Sequence, residues 1–275
     1  MATINEIKMK TYVSMSLVLL AFLFMPSCTK ETDQNDDTSH EAPTARRISQ
    51  KDVITDIDGN EYDTVKIGEQ VWMAENLRTT RYSNGENITY GWPLDPTNDY
   101  WDLPTTPGYC WYNNDTANKV PHGALYNWLT VNTGKLCPVG WHVPTSAEWN
   151  VLRDYLTANK ITFSDMSTDV AKSISSNSGW DIPQPWEYRG TIIPVPEGYV
   201  GKNQATNNRY GFNGFPSGMR AFQDRFMGMG QMAVWWSSSG PSNPWDFSIN
   251  YDGTDINQGS DYKRNGFSVR CVKNL

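Results

Sequence analysis

The sequence predicts an α+β domain with two main helices, short antiparallel strands and long irregular loops. Apolar residues at helical spacing predict a helix over residues 146–158, and alternating residues with turn signals predict a β-meander over residues 53–73. Two long stretches, 82–118 and 183–216, are rich in Pro, Gly, Asn and aromatic residues and show little periodicity. Two helices among many short strands and long loops are typical of the α+β class.

The predicted strands begin with the meander, where Asp58-Gly59 is a strong hairpin signal. Three more strands are predicted near the C-terminus, at residues 234–238, 245–251 and 267–272, the last two from period-2 alternation. The sequence shows no internal repeat, and it shows no domain boundary after about residue 48. We therefore expect one domain over residues 49–275.

The best-supported helix, over residues 146–158, starts after Thr145. This residue is a good N-cap, and Glu148 three positions later can complete a capping box. A second main helix is predicted over residues 165–176 and a short one over residues 123–131, both from apolar spacing.

The N-terminus predicts export and a lipid anchor. Lysines precede an apolar run over residues 12–25, which is short for a membrane span and suits a signal peptide. The run ends in Met-Pro-Ser-Cys28, which resembles the cleavage box of bacterial lipoproteins. Residues 1–27 are thus the predicted signal peptide and Cys28 the lipidation site, with Met9 as an alternative start. The alternative is an ordinary secreted protein with a free Cys28.

Residues 28–48 predict a flexible acidic tether, because they are polar and lack apolar periodicity. The acids after Cys28 resemble the export signals of surface-exposed lipoproteins in Bacteroidetes, although a plain spacer is the alternative. We expect an outer-membrane lipoprotein that faces outward, with the membrane as one partner. The net charge of −7 lacks a basic footprint and argues against a nucleic-acid partner.

Several runs of residues carry a family resemblance across roughly residues 50–275. They are Asp58–Leu77, Tyr109–Asp115, Gly123–Trp128, Gly134–Trp149, Gly211–Arg220 and Gly266–Lys273. In this order they resemble the Fibrobacter succinogenes major paralogous domain family, which has no settled biochemical activity. Two of the runs are also similar to signatures of formylglycine-generating-enzyme-like and C-type-lectin-like domains. The resemblance implies a C-type-lectin-like fold. In such a fold the two termini pair near one another in the lower half of the domain, and the long loops lie above that half.

Once Cys28 is lipidated, Cys110, Cys137 and Cys271 remain, and three pairings are open. The predicted compartment is oxidising, so a disulfide is expected. Cys137 and Cys271 stand in the two firmest family motifs, and the resemblance implies that these two are bridged. Cys110 is then a buried free thiol.

The sequence offers candidate metal ligands, but a structural role explains them better than metal binding does. Oxygen-bearing residues at 56, 58, 60 and 63 are spaced as in calcium loops, but they lack the downstream bidentate Glu, and Asp58-Gly59 is explained by a hairpin. Residues 113–115 stand at the wrong place for a lectin calcium site. A soft site at Cys137 and His142 is also weak, because the chain has only three His, and His122 and His142 could not complete it without Cys110 or Cys271. We predict no metal and no cofactor.

Catalytic residues are not predicted either. The sequence has no Gly-x-Ser-x-Gly element, and its cysteines are too far apart for the redox pair of a formylglycine-generating enzyme. Glu75 and Glu148 are the carboxylates considered for a glycosidase, but Glu148 already has a capping role.

Aromatic residues are the remaining ligand-binding candidates, since exposed rings stack on sugars or anchor protein partners. Trp72, Trp128, Trp141 and Trp149 lie in element-like segments and are predicted to be buried. The candidates for an exposed face lie in irregular segments: Trp92, Trp101, Trp111, Tyr112 and Trp186.

The leading function is a non-catalytic surface module that binds a glycan or protein. An extracellular glycan-active enzyme and a structural surface protein without a soluble ligand are the alternatives. Thr64 and Thr116 follow Asp and precede a small apolar residue, which matches a short O-glycosylation signal of Bacteroidetes.

Overall fold

Strands dominate the structure. A computed structural model describes residues 52–92, 106–159, 170–221, 224–240, 242 and 244–275, and these contain fifteen strands and three α-helices. The strands are β1 (Val53–Thr55), β2 (Glu61–Ile67), β3 (Gln70–Met73), β4 (Thr89–Tyr90), β5 (Gly108–Cys110), β6 (Leu125–Tyr126), β7 (Trp141–His142), β8 (Trp186–Tyr188), β9 (Thr191–Ile193), β10 (Ser217–Arg220), β11 (Phe226–Met229), β12 (Met232–Trp236), β13 (Trp245–Asn250), β14 (Asn257–Ser260) and β15 (Val272–Lys273). The helices are α1 (Trp128–Val131), α2 (Ser146–Ala158) and α3 (Val170–Ile174).

The predicted α+β class, a C-type-lectin-like domain with two main helices, is wrong. The structure is mostly β, with a curled sheet. Helix α2 forms over residues 146–158 as predicted, but of the second predicted helix the described part holds only the five residues of α3. The error has a physical source, because strands of two to four residues give too few alternations for a period-2 signal.

The largest sheet joins the two ends of the domain. Its order is β1-β2-β3-β15-β7, and neighbouring strands run antiparallel. Strands β1 to β3 form the predicted meander, with Gly59 in the left-handed conformation that its turn requires. Val272 pairs with Trp72 on one side and with His142 on the other, so the C-terminal strand lies inside the sheet.

Two aromatic cores lie on opposite faces of the sheet formed by β12, β13 and β14. Val234 and Trp236 join one core, and the alternate residues Ala233 and Trp235 join the other. A strand that is buried on both faces has no polar side to alternate with, which explains its continuous apolar run.

Helix α2 is fixed by its cap and by one apolar face. Thr145 and Glu148 form the predicted capping box, and Trp149 stacks on Phe247 with ring centroids 5.1 Å apart. Leu152 and the rest of this face are buried. Among the described residues, no helix has the length and apolar character needed to cross a bilayer.

A buried polar network lies between the aromatic residues. The Asn76 Oδ1 atom accepts hydrogen bonds from Trp235 Nε1 at 2.9 Å and from an Arg270 terminal nitrogen at 2.8 Å. Arg270 is fully buried, and its guanidinium also donates to the carbonyl oxygens of Met73 and Phe212. Because a buried charge is costly without partners, these groups fix each other's positions.

The other end of the Asn76 amide binds a second set of segments. Its Nδ2 atom donates to the His122 carbonyl oxygen and to the hydroxyls of Ser217 and Ser268. Gly123, which follows His122 in the chain, has φ +77°, and a Cβ at this position would lie 2.6 Å from the Asn76 Cβ. Only glycine fits this close approach.

The disulfide joins Cys137 to Cys271, as the family resemblance implied. It closes a loop of 134 residues, nominally worth about 5 kcal/mol in the chain-entropy model. Cys110 is free and buried, and burial raises the pKa of its thiol to about 12. The thiol is therefore protonated and unreactive in the folded protein.

Peptide mapping under non-reducing conditions checks this pairing. We expect one linked peptide pair containing Cys137 and Cys271, and alkylation of Cys110 only after the protein is unfolded. A crosslinked peptide that contains Cys110 would contradict the structure.

Removing the centre of the polar network should be costly. Asn76→Ala leaves donors from Trp235 and Arg270 unpaired in the core, so we expect the free energy of unfolding to fall by at least about 3 kcal/mol. Urea denaturation measures this change. Asn132→Ala, at an exposed helix end, is the control and should shift stability by no more than about 0.5 kcal/mol. Equal losses in the two variants would show that the network is not stabilising.

Candidate functional site

Three of the five aromatic residues predicted to face a ligand lie in the core. Trp92, Trp111 and Tyr112 are only 3%, 5% and 8% exposed, so the expectation that they form a surface is wrong. Trp101 lies outside the described residues. Trp186 differs from the others, because 44% of its surface is exposed.

The buried rings anchor irregular segments. Trp92 donates from Nε1 to the Arg264 carbonyl oxygen at 2.9 Å, and the Arg220 guanidinium lies 4.0 Å from its ring centroid. Tyr112 packs against Phe226 with centroids 5.3 Å apart. Large rings bury much apolar area, so an irregular segment that lacks regular backbone pairing gains order from them.

Trp186 lies on an exposed β-hairpin, residues 186–193, which we call the aromatic hairpin. Strands β8 and β9 pair only with each other among the described strands, and five of their six residues are exposed. The register pairs Trp186 with Ile193 and Tyr188 with Thr191. The hairpin therefore presents both faces and both edges to its surroundings.

A two-residue turn closes the aromatic hairpin. Arg189 and Gly190 both have positive φ, 50° and 78°, which is the combination that tight hairpins require. The Arg189 guanidinium lies 5.2 Å from the Tyr188 ring centroid. This cation–π contact holds the ring at the tip of the hairpin.

The base of the hairpin is tied to the domain. Gln204 donates from Nε2 to the Trp180 carbonyl oxygen at 2.7 Å and accepts from the Trp180 amide, and Trp180 itself is buried. On the other side, Lys202 Nζ donates to the Val195 carbonyl oxygen at 2.7 Å. An anchored base with an exposed tip is a suitable geometry for contact with a ligand.

Both aromatic rings of the hairpin lie on one face. Because successive side chains alternate, Trp186 and Tyr188 share a face, whereas Glu187 and Ile192 share the other. Positions two apart on a strand are about 6.5–7 Å apart. Tyr188 is 58% exposed and Trp186 44%, so both rings keep a large part of their surface uncovered. Such rings can stack on sugar rings or pack against a protein partner.

Sequence reasoning missed Tyr188 and placed residues 183–216 in an irregular stretch. The signal was present in Trp186-Glu-Tyr-Arg-Gly-Thr-Ile-Ile193, where alternating residues flank Arg-Gly. Arg-Gly is a weaker hairpin signal than Asn-Gly or Asp-Gly, because arginine adopts positive φ less readily.

Glu148 and His142 serve local structure. Glu148 accepts hydrogen bonds from the Thr145 amide and hydroxyl, and His142 Nε2 lies 2.7 Å from its other carboxylate oxygen. Burial acts to raise the pKa of Glu148, but these hydrogen bonds outweigh it and lower the pKa. Glu75, the other carboxylate considered for catalysis, pairs with Arg78 at 2.6 Å.

The acidic residues of the first turn hold that turn together. Asp56 accepts from the amides of Asp58 and Asn60 and from the Tyr62 hydroxyl. Burial acts to raise the pKa of Asp58, but hydrogen bonds from the Thr80 amide and from neighbouring side chains lower it to about 2. Within the described ranges, no three His, Cys, Asp or Glu side chains gather closely enough to hold a metal ion.

The modification candidates differ in accessibility. Thr64 is buried in β2 and its hydroxyl donates to the Asp52 carbonyl oxygen at 2.7 Å, so a glycan there would disrupt strand pairing. Thr116 is exposed and stays a prediction. Cys28 lies outside the described residues.

A family model supports the resemblance found in the motifs. The model of the Fibrobacter succinogenes major domain matches residues 65–273, from β2 to β15. Comparison with curated proteins gave no match, and comparison with solved structures gave none. The matched region covers most of the chain and includes the polar network, the disulfide and the aromatic hairpin. The chain therefore belongs to the Fibrobacter succinogenes major domain family.

Proposed function

We propose that this chain is a lipid-anchored binding module of the outer cell surface, and that it captures an extracellular glycan without catalysis. The observation that carries the proposal is the exposure of Trp186 and Tyr188 on one face of the aromatic hairpin. Two flat rings in line along a strand offer stacking positions to neighbouring sugar units of one chain.

Leaving these two rings exposed costs the free protein part of the stabilisation that their burial would give. Burying a large apolar side chain is worth about 1.5–3 kcal/mol, and these two rings forgo part of that gain because 44% and 58% of their surfaces stay exposed. Exposed apolar surface of this kind marks sites of interaction. A ligand that covers both rings would recover the missing burial.

A second candidate ligand is an extended protein segment. Within the described strands, β8 and β9 pair only with each other, and their outer edges favour this ligand because unpaired backbone groups can add a strand from another chain. Binding of this kind would depend on backbone pairing more than on the two rings, so substitution of the rings separates the two ligands.

The absence of catalysis is part of the proposal. Glycosidases use two carboxylates that flank the scissile bond. The aromatic hairpin carries one carboxylate, Glu187, and it lies on the face opposite the rings. A ligand stacked on the rings would not meet a pair of acids from this hairpin.

Location is proposed from the sequence. Cys28 would carry the lipid after removal of residues 1–27, and residues 28–48 would tether the domain to an outward-facing outer membrane. A tether of polar, unpatterned composition lets the domain move relative to the membrane.

Loss of the two rings should abolish glycan capture. We expect Trp186→Ala with Tyr188→Ala to weaken binding to the best glycan on an array at least tenfold, since each stacking contact is worth about 0.5–1.5 kcal/mol. The melting temperature should change little, because neither ring is in the core. Ile192→Ala, on the opposite face of the same hairpin, is the control and should bind normally.

A hydrolysis assay on the same array distinguishes the alternatives. Binding without released sugar supports the proposal, and turnover supports an enzyme. Unchanged capture in the double variant would show that the hairpin is not the binding surface.

Cys28→Ser tests the anchor. Acyl attachment requires the thiol, so we expect the variant to leave the detergent fraction or to retain its signal peptide. Fractionation followed by mass spectrometry of the N-terminus measures both. Wild-type detergent partitioning with normal cleavage would contradict the lipoprotein assignment.

A further inference from the structure

The first and last strands of the five-stranded sheet border one cavity. Its volume is about 370 Å³, which lies in the range of ligand sites, about 300–1,000 Å³. Strands β1 and β7 stand at opposite ends of the strand order, so the curl of the sheet brings its two edges to the same opening. The residues that line this space, which we call the edge cavity, are Ile54, Thr55, Asp56, Ile57, Ser83, Pro138, Val139 and Trp141.

The walls of the edge cavity are mainly apolar. Ile57 and Val139 are 43% and 88% exposed, and Trp141 is half-buried, so these side chains leave apolar surface uncovered at the opening. A concave apolar wall with a few polar groups is typical of sites that take an apolar side chain or a small molecule.

The outer edge of β1 carries unpaired backbone groups. The Asp52 carbonyl oxygen accepts from a β2 amide at 3.1 Å, and the Asp56 amide donates to the carbonyl oxygen directly before β2 at 3.0 Å. Because hydrogen-bonded positions alternate along an antiparallel strand, Val53 and Thr55 direct their N–H and C=O groups away from β2. Among the described residues these groups have no hydrogen-bond partner. Such an edge accepts an added strand.

Acidic side chains bracket this edge. Successive side chains alternate, so Asp52, Ile54 and Asp56 lie on one face of the strand. Neither acid forms an ion pair within the described residues, and the Asp56 carboxylate accepts hydrogen bonds only from neutral groups. Arg81 and Lys135, on the segments that supply the other walls of the cavity, are already paired with other acids. The edge therefore favours a partner that brings positive charge.

We propose that an extended segment of a partner protein adds to the outer edge of β1 and inserts one large apolar side chain into the edge cavity. Strand addition gains affinity from main-chain hydrogen bonds and specificity from pockets for alternate side chains. Alternate residues of the added strand would lie opposite Asp52, Ile54 and Asp56, so the segment carries a basic, an apolar and a basic residue at alternate positions. This site is separate from the aromatic hairpin and goes beyond the proposed glycan capture.

Charge disfavours the pairing of β1 with β1 of a second copy. In an antiparallel pair centred on Ile54, residue 52 of one copy would lie opposite residue 56 of the other, and both are aspartates. Like charges directly opposite each other destabilise a sheet. The net charge of −7 on each chain adds to this repulsion.

Fluorescence anisotropy of the full chain with a labelled peptide tests the site. The probe is Lys-Thr-Phe-Thr-Lys, which places both lysines and the phenyl ring on one face of a strand. We expect saturable binding that weakens with added salt, because charges at an exposed edge are screened. Two control peptides, Glu-Thr-Phe-Thr-Glu and Lys-Thr-Ser-Thr-Lys, should each bind about tenfold more weakly or worse.

One variant tests backbone pairing. Thr55→Pro removes an N–H that faces away from β2, and proline is tolerated on edge strands in this orientation. Because the added strand loses a main-chain hydrogen bond and meets the proline ring, we expect binding to weaken by about tenfold or more. Thr55→Ala keeps the N–H and is the matched control, which should retain binding.

A second variant tests the cavity. Val139→Ser removes apolar wall without adding charge, so we expect binding of the probe to weaken by about threefold to tenfold. Val151→Ser makes the same change at an exposed position of α2 and should bind as the wild type does. Val139 is 88% exposed, so this variant supplies the readout if Thr55→Pro fails to fold.

Four outcomes would overturn the proposal. One is no saturable binding of Lys-Thr-Phe-Thr-Lys up to about 1 mM. The second is wild-type binding by both Thr55→Pro and Val139→Ser, and the third is equal binding of all three peptides. The fourth comes from sedimentation of the chain alone: a dimer that Thr55→Pro dissociates would show that β1 pairs with a second copy.

Discussion

The rest of the structure depends on the buried guanidinium of Arg270. Burial lowers its pKa to about 9, so the group still carries its charge at neutral pH. Its described hydrogen-bond partners are the backbone oxygens of Met73, Phe212 and Asn213 and the side-chain oxygen of Asn76. A buried charge held by neutral oxygens becomes more costly when any one of them is lost. The arginine thus makes the positions of distant segments depend on one another.

This constraint links several of the family motifs. Asn76, Phe212 and Arg270 stand in three separate motifs, and a fourth begins at Gly123, where no side chain fits against Asn76. The motifs are far apart in sequence but meet in one network. By contrast, no residue of the aromatic hairpin donates to or accepts from this network in the described structure. Substitutions in the hairpin can therefore leave this network intact.

Sequence reasoning succeeded where structure is local or fixed by a motif. The Asp58-Gly59 turn and the Thr145–Glu148 capping box depend on neighbouring residues alone, and the Cys137–Cys271 bridge followed from the family motifs. The predicted fold class was wrong because many strands have only two to four residues, too few for a period-2 signal, and because β15 pairs with the distant strands β3 and β7. The burial of Trp92 could not be predicted either, since it depends on Arg220 and Arg264, which are more than 100 residues away.

Aromatic residues divide the molecule into a scaffold and a displayed element. Trp72, Trp149 and Trp235 pack around Phe212, and a substitution of such a core ring to alanine typically costs about 3–5 kcal/mol. Trp186 contributes little to that core, because the hairpin beneath it is exposed on both faces. The 44% exposed ring of Trp186 is therefore the feature on which the proposed ligand contact depends. The same physical property, a large flat apolar surface, stabilises the scaffold where it is covered and supports binding where it is not.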